Sequence, residues 1–454
     1  MFTNKNEKPG ANYPVTILPS EVHSVLSSHM LADGFAIVFD LEKSHGTYVY
    51  DARTNRTLLD YFTFFASGTL GMNHPKLRDS VFIEKLGKIA VNKPSNSDAY
   101  TVELAEFIET FARLAQPLYL PYAFFIDGGT LGNENALKTA FDWKVRKNFQ
   151  NGYSREVGTK VIHFRNAFHG RSGYTLSLTN TDPVKIKYFP KFSWPRIHNP
   201  ILTFPLTEER LEAVKDEEAL AIRQIKQAIV DYPDDIAALI IEPIQAEGGD
   251  NFFRKEFFAE LRTICSENDI MFIMDEVQTG VGITGKMWAH EYYAEPDMMT
   301  FGKKMQVSGF VCSNRVDEVA ENVFHVPSRI NSTFGGNLVD MVRATKMLEI
   351  IREENLVENA RTVGNYLHGH LSKIELEFPS LISNTRGLGL FCAMDIDSKE
   401  RRELLITKTN EKGLILIGCG ERTIRFRPPL NISIAEVDEG IGIIRSCLKE
   451  MIGK

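Results

Sequence analysis

A chain of 454 residues, 43% hydrophobic and 24% charged, is long enough for two or three domains around a large core. Its formal net charge of -7 gives no electrostatic case for nucleic acid or an anionic membrane as partner, and no apolar run is long enough to cross a bilayer. Five scattered cysteines (Cys265, Cys312, Cys392, Cys419, Cys447) form no CxxC pair, which argues against a disulfide framework or a zinc site and suits reduced thiols.

Met1 to Pro9 is polar and lacks an apolar signal region, so the cytoplasm is the expected compartment. The first segment, 1–75, is expected to pack with the carboxyl-terminal part of the chain. From 76 to 337 short apolar runs alternate with helical patterns. Strands are predicted at Tyr122–Ile126, Lys160–Phe164, Ile236–Ile241, Ile270–Met274 and Met298–Phe301, with helices at Asn133–Asn148 and Arg254–Glu267. Strands spaced by helices point to an α/β domain whose mostly parallel sheet is covered on both faces. Sites in such sheets lie at the strands' carboxyl ends, where Asp127, Glu242 and Asp275 fall. A long amphipathic helix from Asn337 to about Asn355 opens a smaller α+β domain, 338–454, with strands at Gly387–Ile396 and Thr423–Phe426. The last helix opens at Ser433, with Glu436 at capping-box spacing.

Several segments carry candidate chemistry. Asp127-Gly128-Gly129-Thr130 to Asn135 joins a predicted strand to a predicted helix. Its glycines let backbone approach a ligand, and a helix amino terminus favours phosphate, although an ordinary βα turn reads the same way. Phe168-His169-Gly170-Arg171 offers an aromatic to stack on a flat ring and an arginine to fork a carboxylate; Phe168 as core and Arg171 as surface charge is the plainer alternative. Glu242 and Glu247 precede a glycine pair, as in a loop facing a cleft. Asp275 closes an apolar strand, Gln278 follows it, and Lys303 stands in a later loop. A carboxylate at a strand end with a downstream loop lysine is the pair that a pyridoxal phosphate site needs, one to keep the ring nitrogen protonated and one to hold the aldehyde. Taken singly, Asp275 reads more readily as a strand-end turn residue and Lys303 as a solvated surface lysine; the rest of the chain reverses that preference. Asn331-Ser332-Thr333-Phe334-Gly335-Gly336 suits a phosphate or a turn, and alternation would put Arg425 and Arg427 on one strand face.

The order of these pieces carries more than each alone. Glycine turn, Phe168-His169-Gly170-Arg171, Glu242-Pro243 to Glu247-Gly248, Asp275-Glu276-Val277-Gln278-Thr279-Gly280, Gly302-Lys303, Ser332-Thr333-Phe334-Gly335-Gly336 and Arg425 to Pro429, preceded by Leu59-Asp60-Tyr61-Phe62 and Gly71 to Pro75, together resemble the class III, fold-type I, pyridoxal phosphate-dependent aminotransferases. The resemblance runs from about residue 30 to the end. Within that family, Ala167–Thr175, Phe301–Val307 and Arg425–Pro429 look like the branch that moves the side-chain amine of L-lysine to 2-oxoglutarate. Lys304-Met305-Gln306-Val307 departs from the glycine-rich run usual in the class, and Ala246 replaces a usual glycine.

The resemblance implies a seven-stranded, mostly parallel sheet between helices, and pyridoxal 5′-phosphate as cofactor. It assigns Lys303 as the residue that binds the cofactor covalently and shuttles the proton, with Lys304 as its chief competitor. Asp275 would meet the pyridine nitrogen, Gln278 the ring hydroxyl region and the substrate, Phe168 the ring face, and Gly129 and Thr130 the phosphate. Thr333 would reach the phosphate of a neighbouring subunit's cofactor, so a homodimer with shared sites is implied. Arg171, Glu247, Gln278, Asn331 and Arg425 are the expected substrate contacts. The same chemistry would serve an ω-aminotransferase acting on ornithine or 4-aminobutyrate, and an aminomutase would need no external keto acid.

Overall fold

The computed structural model describes residues 15–453; the polar Met1–Pro9 segment lies outside them. Among these residues the first strands in chain order are β1 (Phe39–His45), β2 (Tyr48–Asp51) and β3 (Arg56–Asp60). The central group is β4 (Tyr122–Ile126), β5 (Lys160–Phe164), β6 (Arg196–Ile197), β7 (Ile236–Ile241), β8 (Met271–Asp275), β9 (Met298–Phe301) and β10 (Ser308–Cys312). The last are β11 (Ile382–Leu388), β12 (Phe391–Ile396), β13 (Leu414–Ile415), β14 (Ile417–Cys419) and β15 (Thr423–Phe426).

The central strands form a seven-stranded sheet in the order β4-β10-β9-β8-β7-β5-β6. β6, β5, β7, β8 and β9 run parallel, and β10 is antiparallel to both of its neighbours, β9 and β4. All six residues of β7 and all five of β8 are buried, which is why these strands read as unbroken apolar runs. Two strands of this sheet, the two-residue β6 and the longer β10, are not among the predicted ones. Ser308 and Gly309 dilute the apolar signal of β10, yet Gly309 is required there, since a Cβ would stand 2.0 Å from the Phe124 carbonyl oxygen. Gly132 packs on the same spot: its Cβ would come within 2.8 Å of the Gly309 oxygen, so the helix that follows β4 lies hard against β10.

That helix, Gly129–Gln150, begins four residues before the predicted Asn133. The shift matters, because it makes Gly129 and Thr130 the helix amino terminus. A second correction concerns Gly387–Ile396, which is two antiparallel strands, β11 and β12, and not one. The flanking Leu388 and Leu390 hide the break; only Gly389, at φ +57°, marks the reversal. The other helices fall close to expectation: Lys255–Glu267, Leu338–Glu353 capped by Asn337, and Ile434–Met451 with the Ser433–Glu436 capping box formed.

Two smaller sheets flank the large one. β3 of the amino-terminal segment pairs in parallel with β13, matching Leu59 to Leu414 and Asp60 to Ile415. β11, β12, β15 and β14 form an antiparallel sheet. Among the described residues all five cysteines are free and buried, and no helix is long and apolar enough to cross a membrane.

Candidate active site

A cavity of about 280 Å³ opens at the carboxyl ends of the parallel strands, lined among others by Gly129, Thr130, Phe168, Arg171, Glu242, Glu247, Asp275, Gln278 and Lys303. A larger hollow of about 880 Å³ elsewhere is lined by Pro75, Glu106, Glu109 and Glu349, and none of the expected residues reaches it.

Asp275 is the last residue of β8 and is 4% exposed. Its Oδ2 accepts hydrogen bonds from Asn133 Nδ2 at 2.7 Å and His169 Nδ1 at 2.8 Å, and its Oδ1 accepts from the Val277 amide. Asn133 is held in turn by the Thr300 hydroxyl, which donates to its Oδ1 at 2.8 Å. The carboxylate is thus fixed in orientation by two buried side chains. In the sequence Asn133 marks only the start of a predicted helix, and His169 carries no assigned role inside its motif. The one available signal was their place inside motifs that already carried other assignments.

Lys303 opens the turn after β9 in the left-handed region, φ +47°, a conformation that is costly for a residue with a side chain. Burial, helped by repulsion from Arg425, brings its amine from 10.5 down to about 7. Near neutral pH much of it is therefore uncharged and nucleophilic. Lys304 is also buried, but its Nζ donates to the Gln278 carbonyl at 3.0 Å and it does not line the cavity. The amino-terminal segment clamps this turn, with Thr69 Oγ1 donating to the Lys304 carbonyl and Gln306 Nε2 to the Ser67 carbonyl.

Gly129 has no room for a side chain, since a Cβ would meet Val277 Cγ1 at 2.8 Å. The Thr130 hydroxyl is engaged with Thr175 Oγ1 at 2.8 Å and Ser172 Oγ at 3.1 Å, which leaves first-turn backbone N–H groups to face an anion. Phe168 is half-buried, its amide donating to Glu242 Oε1 at 3.0 Å. Burial and then repulsion by Asp275 push the Glu242 carboxyl well above the usual range. Two buried acceptors or donors lack a partner here, Gln278 Oε1 and His169 Nε2. A flat, phosphorylated, nitrogen-containing aldehyde suits this donor set: an amine for the aldehyde, a carboxylate for a ring nitrogen, an aromatic face and a helix amino terminus.

Arg425, on β15, is 1% exposed and its Nη2 pairs with Glu247 Oε2 at 3.0 Å. Its Nε and Nη1 are buried without partners. Glu247 also receives Lys185 Nζ on Oε1 at 2.6 Å, a contact no sequence motif announced. Burial alone would raise the Glu247 pKa, but Arg425 and Lys185 outweigh it and hold the carboxyl below its ordinary value. Arg427 does not share this role. It pairs with Asp250 at 2.5 Å, both fully buried, and lies over the Phe391 ring. Arg171 lines the cavity and is exposed, 5.8 Å from the Phe168 ring centre.

Asn331 and Thr333 lie apart from this group. Both are exposed on a loop tied down by Ser95 and Ser97, whose hydroxyls donate to the carbonyls of Thr333 and Ser332, and neither lines the cavity of its own chain.

The family model for class-III aminotransferases matches residues 31–448. The L-lysine-epsilon aminotransferase of Mycobacterium tuberculosis strain H37Rv is 50% identical over 440 residues, covering 96% of this chain and 97% of that one. The protein of the same name from Streptomyces clavuligerus is 45% identical over 429 residues, 94% of this chain and 93% of its own length. A solved lysine aminotransferase from M. tuberculosis superposes with a TM-score of 0.93 at 50% identity, covering 96% of this chain and all 100% of the other.

Proposed function

The chain belongs to the class-III aminotransferases, and on that premise we propose that it transfers the ε-amino group of L-lysine to 2-oxoglutarate with pyridoxal 5′-phosphate as cofactor. The products are L-glutamate and 2-aminoadipate 6-semialdehyde, which closes on itself to 1-piperideine 6-carboxylate. Bound, the cofactor supplies an electron sink that makes the carbon bearing the amine acidic. Asp275, steered by Asn133 and His169, holds the ring nitrogen's proton. Gly129 and Thr130 offer backbone N–H groups to the phosphate, Phe168 covers the ring, and Gln278 turns its unpaired oxygen to the ring hydroxyl and the substrate. Lys303, neutral in part near pH 7, moves the proton between the donor's ε-carbon and the cofactor.

One site must take two differently placed carboxylates. Lysine's stands four carbons from the reacting carbon, whereas the keto acid's stands beside it. Arg425 grips the near carboxylate and Arg171 the far one. The observation that carries the reading is that Glu247 already occupies Arg425, at 3.0 Å. A masked near grip excludes the α-amino acid end of lysine, and the mask lifts for 2-oxoglutarate. Such a pair can act as a switch because desolvation offsets most of its Coulomb gain. In the homodimer of this reading, working in the cytoplasm, Asn331 and Thr333 serve the neighbouring subunit's site, for which their exposure is suited.

The test is to mix cofactor-loaded protein with L-lysine alone, follow the cofactor's visible absorbance and identify the product by mass spectrometry. Appearance of the semialdehyde or its cyclic imine supports the assignment. Silence with lysine, and turnover with ornithine or 4-aminobutyrate, would replace the donor while keeping the class. Glu247→Ala should raise reaction at α-amines relative to ε-amines by about tenfold, because close charge pairs couple by about 1.5 kcal/mol or more. An unchanged ratio would rule out masking.

A further inference from the structure

Glu247 is held by two cations, one on each carboxylate oxygen. Arg425 comes from β15 of the small antiparallel sheet, and Lys185 from the short turn Pro183–Lys185 that follows the helix Gly173–Leu178. The turn is built to hold its lysine still. Asp182 caps it by accepting from the Val184 amide, Pro183 fixes its first residue, and Thr181 Oγ1 accepts a second bond from Lys185 Nζ at 3.2 Å. The lysine side chain is only 17% exposed, and its ammonium lies 5.5 Å from the Phe168 ring centre. Lys185 therefore stands behind two residues that line the cavity, Phe168 and Glu247, and holds the Glu247 oxygen that Arg425 does not.

Resting on the aminotransferase reading above, we propose that Lys185 is a positioning residue of the carboxylate switch, the second station that keeps Glu247 paired when Arg425 is released to a keto acid. A buried carboxylate pulled off its only partner pays an uncompensated desolvation cost. With Lys185 in place, Glu247 gives up one charge-assisted hydrogen bond and keeps the other. The freed Arg425 then offers Nε, Nη1 and Nη2 to the incoming carboxylate, two of which already lack partners. Lys185 thus favours the keto-acid half-reaction over the amine half-reaction, in which Glu247 stays on Arg425.

The test measures each half-reaction separately in the cofactor-loaded enzyme, for the wild type, Lys185→Met and Lys185→Arg. Lys185→Met is expected to lower the second-order rate constant with 2-oxoglutarate by about tenfold, the size of one charge-assisted hydrogen bond, with a smaller change for L-lysine. Lys185→Arg should restore most of the loss. Calorimetry with glutarate, a dicarboxylate that cannot react, should show weaker binding to Lys185→Met by a similar factor. In a Glu247→Ala background the Lys185→Met effect should disappear. Equal losses in both half-reactions, unchanged glutarate affinity, or a loss that persists without Glu247 would each overturn the proposal; the last would make Lys185 a direct contact for the keto acid. Circular dichroism of Lys185→Gln, which keeps a polar side chain, separates misfolding from these outcomes. Wild-type protein that ignores L-lysine but uses another amine would correct the donor and leave the switch test intact, since glutarate and 2-oxoglutarate probe it alone.

Discussion

Lys303→Ala is expected to lower transamination by at least ~10³-fold, because in the proposed mechanism one side chain both binds the cofactor aldehyde and moves the proton. Borohydride fixation followed by peptide mass mapping should place the cofactor on Lys303 in the wild type and on no residue in the variant. Lys304 is the instructive control. It is the adjacent residue with the same functional group, yet its Nζ is spent on the Gln278 carbonyl and burial holds its pKa well below the ordinary value. Fixation at Lys304 would overturn the assignment. The amine at Lys303 also sets a pH dependence. A cation whose pKa falls from 10.5 to about 7 is mostly neutral at pH 8 and mostly protonated at pH 6. Capture of free cofactor by the apo-protein should accordingly accelerate from pH 6 to 8 and then level off. A rate still climbing toward pH 10 would mean an ordinary solvated lysine.

Asp275→Asn should cost on the order of 10³-fold, the consequence of removing one charge from a buried pair worth about 3–5 kcal/mol. The isosteric change keeps the cavity's shape but, on the proposed reading, would leave the ring nitrogen without a negative partner. Asn133→Ala should cost less, roughly tenfold, because it frees Asp275 to reorient without discharging it. A steady-state comparison of the two variants checks the order. An Asn133→Ala loss as large as that of Asp275→Asn would mean that orientation, not charge, dominates at this carboxylate.

Much of the fold is legible in the chain. β7 and β8 are buried on both faces, so their sequences could be nothing but apolar runs, and each ends where a polar residue first tolerates the cavity, at Glu242 and Asp275. β10 and the turn at Gly389 were not legible. In both, a glycine serves a close backbone approach whose partner lies elsewhere in the chain, and the local apolar pattern is neutral about it.

By itself, then, the sequence determined the α/β class, the carboxyl-edge acids, the glycine turn and the ordered motif set that resembles one enzyme family, because strand periodicity and turn chemistry are local properties. Tertiary structure alone decided which charged groups meet. His169 and Asn133 reach Asp275 across 106 and 142 residues, and Lys185 and Arg425 converge on Glu247 from 62 and 178 residues away. It also decided that Arg427 is sealed against Asp250 while Arg425 keeps two free donors, and that Lys303 and not Lys304 faces the cavity. These outcomes depend on burial and on distances of a few ångströms between distant segments, which no short window of residues encodes.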